Sequence, residues 1–376
     1  MKKNWLGYLG VLICLLFLSL VKSVFSEEQS NRSGVYCRLS QRYMKGNLDH
    51  PLLDAVVITV KWSQVEPEPG QFDFTALKEQ VGEWGKAGKG VVINLMLYGQ
   101  EVDDQITPSW VYQQGVESIW FSGGGQAKGR KVRIPKVWDE YFFKNCLEPL
   151  IAEFARNFNG HPDIWYINLS FGHIGNMVTQ PSKGGALAVE EAGWTPEKWK
   201  NYCLSSVELY QKYFDRTPLM VKSAPLLLRN RKTKYYLNDA NEIIGLLGER
   251  GVTVVSLGAN ADPGQMKNIR NRLSPLADSA QAGKIRLGMG DDWPLWVPQD
   301  RRDQAPTQGY DDKNLKQILK LIFGGRQKLP ITILYLQEPE ISASNPNHRD
   351  YQKKVYQIIK KARKKLKKID RKIYGK

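Results

Sequence analysis

The chain has 376 residues, 42% of them hydrophobic and 11% aromatic, which is enough for one large core or two smaller ones. Its net charge of +16 is concentrated at the two ends. Residues 353–376 hold 12 Lys and Arg against one Asp, a surplus of 11, and residues 1–26 add three lysines, which leaves +2 for everything between. A body that binds nucleic acid through a basic surface is therefore disfavoured.

The N-terminus has the pattern of an export signal. A basic start, MKKN, precedes the 17-residue apolar run WLGYLGVLICLLFLSLV. Val24 and Ser26 favour cleavage after Ser26. An uncleaved signal anchor is the alternative, at the short limit for spanning a bilayer. In both cases the sequence predicts an exported protein, secreted or held at the cell envelope.

Cysteine and histidine spacing gives no sign of a metal site. Beyond residue 26 the chain has Cys37, Cys146 and Cys203, an odd number at wide spacing. Buried free thiols are the simpler interpretation, and one disulfide between Cys146 and Cys203 is the alternative. No two of the four histidines have helical ligand spacing. We expect no organic cofactor and no catalytic metal.

Strand-like apolar runs alternate with helical stretches from residue 34 onwards. Several runs are continuously apolar, as expected of parallel strands buried on both faces. The predicted strands are 34–40, 55–62, 90–97, 164–171, 219–224, 252–258, 285–290 and 331–337. The predicted helices are 74–87, 139–158, 195–214, 237–249, 312–323 and 348–372.

This alternation predicts an α/β fold, a (β/α)8 TIM barrel with loop insertions in a single domain. A doubly wound open sheet is the competing fold, but no strand-to-helix turn carries a dinucleotide or phosphate-loop motif. The glycine-rich segment 121–131 is interpreted as a mobile loop. The predicted boundaries are 1–26 for the signal, 27–352 for the barrel and 353–376 for a basic C-terminal helix.

In such a barrel, functional side chains follow the C-terminal ends of the strands. Carboxylates and aromatic residues recur at these positions, a combination that suits sugars, because aromatic rings stack on sugar rings and carboxylates bind hydroxyls or transfer protons. The residues are Trp62, Glu66, Glu68, Tyr98, Glu101, Asp103, Asp104, Trp110, His173, Asn176, Asp291, Asp292, Trp293, Trp296, Glu338 and Glu340.

The segment 60–95, VKWSQVEPEPGQFDFTALKEQVGEWGKAGKGVVINL, resembles the second-to-third strand region of (β/α)8 glycoside hydrolases of the large retaining clan, which includes family 42 β-galactosidases and family 5 hydrolases. The signature residues that match are Trp62, Val65, Glu66, Pro67, Gly70, Phe72, Asp73 and Phe74. The resemblance covers roughly residues 50–180. It implies a barrel fold, with a general acid/base glutamate at the end of strand 4 and commonly a nucleophilic glutamate on strand 7.

This sequence departs from that pattern, because FGHIGN places Asn176 where the family turn has its glutamate. An amide cannot protonate a leaving group. We therefore assign catalysis to Glu338 as one carboxylate and to Asp292 or Asp291 as the other. The alternative for Glu338 is a surface glutamate in a proline-containing turn. The alternative for Asp291 and Asp292 is that they cap a turn.

The predicted substrate-binding residues are Trp62, Tyr98, Trp110, His173, Asn176, Trp293 and Trp296. Trp62 belongs either to the core or to the cleft wall. For Glu66 we favour structural support of the loop after strand 2.

The sequence thus predicts an exported glycoside hydrolase-like protein that acts on a poly- or oligosaccharide through two carboxylates. The alternatives are a non-catalytic carbohydrate-binding protein on the same fold and a structural protein held at the envelope by its basic tail. The apolar residues of the C-terminal helix form one stripe that packs on the barrel. Its basic face is either simply solvated or in electrostatic contact with an anionic envelope surface.

Overall fold

The computed structural model describes residues 32–38, 45–100, 106–124, 127–179, 183–224, 226, 234–259, 263–290, 312–324 and 329–375. The N-terminal signal predicted for residues 1–26 lies outside these ranges. Among the described helices, none combines the length and the apolar character needed to cross a membrane.

Eight parallel strands close into a barrel in the order β1-β10-β9-β8-β7-β6-β3-β2. These strands are β1 (Gly34–Arg38), β2 (Ala55–Lys61), β3 (Gly90–Met96), β6 (Ile164–Asn168), β7 (Leu219–Ser223), β8 (Thr253–Ser256), β9 (Leu287–Gly290) and β10 (Ile331–Gln337). Each of them falls within a predicted strand, so the prediction of a (β/α)8 barrel is confirmed. The predicted strands 4 to 8 correspond to β6–β10.

Helices surround the barrel and connect its strands. They are α1 (Trp62–Val65), α2 (Thr75–Lys86), α3 (Ser109–Gln113), α4 (Glu140–Phe142), α5 (Glu148–Phe158), α6 (Lys183–Glu191), α7 (Pro196–Tyr213), α8 (Lys234–Glu249), α9 (Pro263–Leu273), α10 (Ala277–Gln281), α11 (Asp312–Phe323), α12 (Glu338–Ser344) and α13 (Lys353–Tyr374). A π-helical turn, Phe143–Leu147, joins α4 to α5. The side chain of Thr195 caps α7 by accepting a hydrogen bond from the Lys198 amide at 3.1 Å.

The sequence prediction missed a hairpin in the connection between β3 and β6. Strands β4 (Ser118–Ser122) and β5 (Lys131–Pro135) pair antiparallel on either side of the glycine-rich turn. Trp120 on β4 is 47% exposed, and the Lys131 ammonium lies 4.6 Å from its ring centre. The segment 121–131 therefore includes the two strand ends of a hairpin and is not loop throughout.

Burial separates an inner core from an outer one. Alternate strand residues such as Tyr36, Val57, Val92 and Tyr166 fill the barrel interior. The intervening residues pack against the helices in a larger cluster. Because side chains alternate along a strand, this division fixes which residues at each strand end face the barrel axis.

The last helix, α13, closes the seam between the first and last strands of the barrel. The guanidinium of Arg363 makes two hydrogen bonds to the Asp54 carboxylate, at 2.9 and 2.8 Å, and the Lys367 ammonium donates to the Ser33 carbonyl at 2.6 Å. Asp54 Oδ2 also accepts from the Val35 amide at 2.9 Å. The helix is thereby tied to the beginnings of β1 and β2.

A buried ion pair fixes the far end of the same helix. Asp370 Oδ1 lies 3.0 Å from Arg286 Nε, and the two side chains are only 3% and 6% exposed. Tyr374 stacks on the Arg286 guanidinium at 4.0 Å and donates a hydrogen bond to the Ile285 carbonyl. Removing one partner of such a pair leaves the charge of the other partner buried and uncompensated.

Asp370→Ala is therefore expected to lower the free energy of unfolding by about 3 kcal/mol, because it leaves Arg286 buried without this carboxylate. Urea unfolding followed by tryptophan fluorescence measures the change. Glu140→Ala, which removes an exposed ion pair with Lys144, is the control and should leave the unfolding midpoint unchanged. Equal midpoints for Asp370→Ala and the control would contradict the role given to the buried pair.

Candidate active site at the barrel mouth

The C-terminal mouth of the barrel is polar, whereas the interior below it is apolar. Inward positions two or four residues beyond the interior cluster carry hydrogen-bonding side chains. They are Arg38, Thr59, Lys61, Asn94, Asn168, Ser170, Lys222 and Gln337. The mouth therefore offers amide, hydroxyl and cationic groups around the axis, at the end where barrels of this type place their sites.

Two asparagines organise this layer. Asn168 Nδ2 donates to Asn94 Oδ1 at 2.8 Å and to the Gly175 carbonyl at 2.7 Å. Asn94 Nδ2 makes longer contacts, at 3.4 Å, with Thr59 Oγ1 and with the Ile174 carbonyl. The network joins β2, β3 and β6 to the turn that follows β6.

That turn carries left-handed backbone at two successive residues. Ile174 has φ of 49° and Gly175 φ of 77°. Such a conformation is costly for a β-branched residue. The Ile174 amide donates to the Tyr98 carbonyl at 3.0 Å, and its carbonyl lies 3.4 Å from the Lys222 ammonium. A Cβ added to Gly175 would collide with the Asn94 side-chain oxygen, so this position requires glycine.

Asn176 closes the same turn, and its position corrects the sequence interpretation. Strand β6 ends at Asn168, so Asn176 lies beyond the strand end. Its Oδ1 accepts from the Val178 amide at 2.8 Å, and its backbone carbonyl accepts from the Gly172 amide at 2.8 Å. Asn176 therefore stabilises a turn, and the residues at the strand end itself are Asn168 and Ser170. No residue from 164 to 176 is a carboxylate.

Lys222 is a residue that the sequence analysis missed. It lies on β7 at an inward position, is only 1% exposed, and faces the turn after β6. Its sequence signal is a lysine inside an otherwise apolar strand, LMVKSA. A lysine held at this depth supplies a positive charge at the mouth, where a sugar hydroxyl or a carboxylate would accept its hydrogen bonds.

Glu338 lies where β10 ends and α12 begins. It is 8% exposed and occupies the first residue of the helix, while Gln337 holds the inward strand-end position. Glu340 caps the helix, since its Oε2 accepts from the Gln337 amide at 2.9 Å. Burial raises the pKa of Cys37 on β1, and the nearby charges of Glu338 and Glu340 raise it further. Glu338 thus lies at the C-terminal end of β10, next to the inward Gln337 and close to Cys37 on β1.

His50 anchors the helix that carries Glu338. Its Nδ1 accepts from the Leu52 amide at 3.0 Å, so Nε2 carries the proton and donates to the Ile341 carbonyl at 3.0 Å. Ser344 Oγ lies 2.9 Å from the same nitrogen. The ring is fully buried, and burial lowers the pKa of His50 from about 6.5 to about 4.

Because the pKa of His50 is lower in the folded protein than in the unfolded chain, the free energy of unfolding depends on pH. Between pH 6.5 and 4 the unfolded chain binds a proton at this residue that the folded protein does not, so stability falls as the pH drops through this window. The loss attributable to His50 is roughly 2–3 kcal/mol.

We expect His50→Gln to be less stable than the parent near pH 7 but to lose about 2–3 kcal/mol less on acidification to about pH 4. Urea unfolding of both proteins at several pH values in this range measures the difference. Parallel stability–pH curves for the two proteins would contradict a buried neutral His50.

The aromatic residues after β2 and β3 belong to the core, which for Trp62 is one of its two alternatives and for Tyr98 and Trp110 differs from the predicted cleft wall. Trp62 is fully buried, and its ring makes edge contacts with Trp110 and with Phe142 of α4. Tyr98 is also fully buried; its hydroxyl donates to the Thr179 carbonyl at 3.0 Å. All three candidate rings pack between strands and helices, because the chain turns outward at the ends of β2 and β3.

Glu66 supports the loop after β2, as the sequence analysis favoured. Its Oε2 accepts from Trp62 Nε1 at 2.7 Å and its Oε1 from the Gly70 amide at 2.9 Å. Trp110 Nε1 donates to the Glu66 carbonyl at 3.1 Å. Burial raises the pKa of Glu66, and the two hydrogen bonds to its carboxylate partly offset this. The signature glutamate is thus fully engaged by its own loop.

The remaining predicted residues divide into two groups. His173 is half-buried in the turn after β6. Asp291, Asp292, Trp293 and Trp296 lie outside the described residues, as do Glu101, Asp103 and Asp104. The predicted pairing of Glu338 with Asp291 or Asp292 therefore remains a prediction.

The cysteines are unpaired and the described part of the chain holds no metal-ligand cluster. Cys37, Cys146 and Cys203 are free and buried, so the alternative of a disulfide between Cys146 and Cys203 is not realised. Within the described ranges, no group of three or more His, Cys, Asp and Glu side chains converges on a point that could hold a metal ion.

Comparison with known proteins connects this barrel to glycoside hydrolases. The family 42 glycoside hydrolase model, described as beta-galactosidase, matches residues 51–176, about one third of the chain. That range contains β2, β3 and β6 with the network at the mouth. No individual curated protein matches the chain significantly.

Solved structures extend the similarity over the whole barrel. The catalytic domain of β-amylase from Paenibacillus polymyxa superposes with a TM-score of 0.59 at 14% identity, over 88% of this chain and 99% of that one. Xylanase 10B from Thermotoga maritima gives a TM-score of 0.53 at 13% identity, over 92% and 98%. A xylanase from Cellvibrio japonicus gives 0.52 at 10% identity, over 89% and 98%. The resemblance to (β/α)8 glycoside hydrolases predicted from residues 60–95 is confirmed.

Proposed function

We propose that this protein is a glycoside hydrolase that acts on a poly- or oligosaccharide. The observation that carries the proposal is the polar mouth of a glycoside hydrolase-type barrel, with the buried Glu338 directly after the C-terminal end of β10. The similar solved structures include xylanases and a β-amylase, one of the xylanase structures being a complex with xylobiose. A ring of amide, hydroxyl and ammonium groups suits the many hydroxyls of such substrates.

The proposed chemistry requires two carboxylates on either side of the bond to be cleaved. In a retaining hydrolase they stand about 5 Å apart, one as nucleophile and one as acid/base. We assign one place to Glu338 and the other to Asp292 or Asp291. Residues 164–176 supply no carboxylate, so Asn168 and Ser170 on the β6 side and Lys222 on β7 bind substrate hydroxyls. His173 and the tryptophans at 293 and 296 are proposed as further substrate contacts.

Glu338→Gln is expected to lower kcat at least about 1,000-fold, because an amide neither attacks the anomeric carbon nor transfers a proton. The measurement is turnover of residues 27–376 on a panel of aryl glycosides and polysaccharides. Glu340→Gln is the matched control, since its amide oxygen can still accept from Gln337 and keep the helix capped. Asp291→Asn and Asp292→Asn identify the partner. Equal activity of Glu338→Gln and Glu340→Gln would exclude Glu338.

A second candidate is supported by one observation, the absence of a carboxylate from residues 164–176. Without an acid at the end of β6 the barrel would bind a glycan without cleaving it. This function predicts no turnover by the parent protein on the panel, together with glycan binding that survives Glu338→Gln. The same experiment therefore distinguishes the two candidates.

We further propose that the protein is exported through its N-terminal apolar segment. The basic start, the apolar run and the small residues before position 27 support this. N-terminal sequencing of the protein recovered from the producing cells is expected to give Glu27 as the first residue. Recovery with residue 1 intact in the envelope fraction would indicate a signal anchor, and recovery with residue 1 intact in the cytoplasm would contradict export.

A further inference from the structure

The outer wall of the barrel has a groove between α11 and α13 with an apolar floor and a cationic rim. The cavity has a volume of about 970 Å³. Its floor is formed by Leu319, Phe323, Ile358 and Ala362. Its rim is formed by Lys316, Lys320, Lys353, Lys354, Lys361 and Lys365. No carboxylate is among the described residues that line it.

A second groove continues this surface on the other side of α11. It has a volume of about 940 Å³ and lies between α9 and α11. It shares Lys316 and Lys320 with the first groove and adds Lys267 and Arg270. The described residues that line this groove also include no carboxylate. The face formed by α9, α11 and α13, here called the basic face, thus combines eight cationic side chains with a groove that has an apolar floor.

The cationic residues of α13 lie on two sides of the helix and make different contacts on each side. On the flank towards β1, Arg363 and Lys367 are engaged by Asp54 and Ser33 in holding the helix to the barrel. On the groove flank, Lys365 lies 4.7 Å from the centre of the Phe323 ring. Lys365 therefore contacts the groove and not the β1 flank, and we look for a role of the lysines around the apolar floor outside barrel closure.

The location of the chain's N-terminal side adds an independent argument. The described barrel begins at Arg32, next to Ser33, which α13 contacts through Lys367. The apolar run of residues 5–21 precedes this point, and the ten residues 22–31 between them span at most about 35 Å when extended. In the signal-anchor form of the protein, in which the apolar run is not cleaved off, the membrane that holds this run would therefore lie within reach of α13.

From these observations we propose that the basic face binds the surface of an anionic phospholipid bilayer. The lysines pair with lipid phosphates, and acyl-chain or glycerol carbons cover the apolar floor between α11 and α13. Stable attachment to a membrane surface commonly takes two weak signals, and here the lysines supply the electrostatic one and the apolar floor of the groove supplies the hydrophobic one. A soluble polyanion would satisfy the lysines but would not fill the groove with apolar atoms, which is why we favour lipid over an acidic polymer.

Vesicle co-sedimentation tests the proposal. The protein used is residues 27–376, which keeps every described element but lacks the apolar run. We expect it to sediment with phosphatidylcholine vesicles that contain roughly one third phosphatidylglycerol and not with phosphatidylcholine alone. The triple variant Lys320→Gln, Lys361→Gln and Lys365→Gln should lower the partition coefficient roughly 100-fold, given the contribution of each lysine near an anionic surface.

A charge-matched variant distinguishes binding through the groove lysines from general electrostatic attraction between α13 and the anionic vesicles. Lys360→Gln, Lys364→Gln and Lys368→Gln removes the same charge from exposed positions of α13 that line neither groove. We expect it to bind within about threefold of the parent. Equal losses in the two variants would overturn the groove assignment, and failure of the parent to sediment would overturn membrane binding altogether. Displacement of the parent by poly-L-glutamate at matched charge concentration would instead indicate a polyanion partner.

Discussion

Barrel closure is the constraint on which the other features of this molecule depend. The first and last strands pair in parallel, and α13 packs across their seam. Asp54 holds that helix through Arg363 near its middle, and Arg286 holds it through Asp370 near its end. Because closure determines how far each strand end lies from the axis, these ion pairs at the closed end also fix the geometry of the polar mouth at the opposite end. A substitution far from any sugar could thus alter activity.

Much of the fold could be predicted from the sequence because parallel strands buried on both faces leave continuous apolar runs of a few residues. The site was less predictable. Residues just beyond the end of a strand point either towards the barrel axis or towards the helices, and the alternation that decides between these two directions ends with the strand. Trp62 follows β2 directly yet turns outward, whereas Lys222 inside β7 turns inward. The hairpin 118–135 was missed because the glycine-rich segment between its two short strands is typical of a loop. Asn176 matched a family position by its glycine spacing, while its side chain serves the turn itself.

The functional groups at the mouth of the barrel are distributed unevenly around the axis. Around β3, β6 and β7 it presents amides, a hydroxyl and the Lys222 ammonium, and around β10 it presents Gln337 with Glu338 behind it. Donors such as Asn168 are already committed to neighbouring groups, and this makes that side of the mouth rigid. The committed amide groups therefore fix the geometry of the mouth around β3 and β6.

The contact between Gly175 and Asn94 has a consequence for how this protein can change over time. The glycine has room only for a hydrogen beside the Asn94 oxygen, and that oxygen in turn accepts from Asn168. A larger residue at 175 is tolerable only after position 94 has shrunk, and a smaller residue at 94 deprives Asn168 of its partner. The three positions therefore form an epistatic unit, and we expect replacements at positions 94, 168 and 175 to be coordinated during evolution.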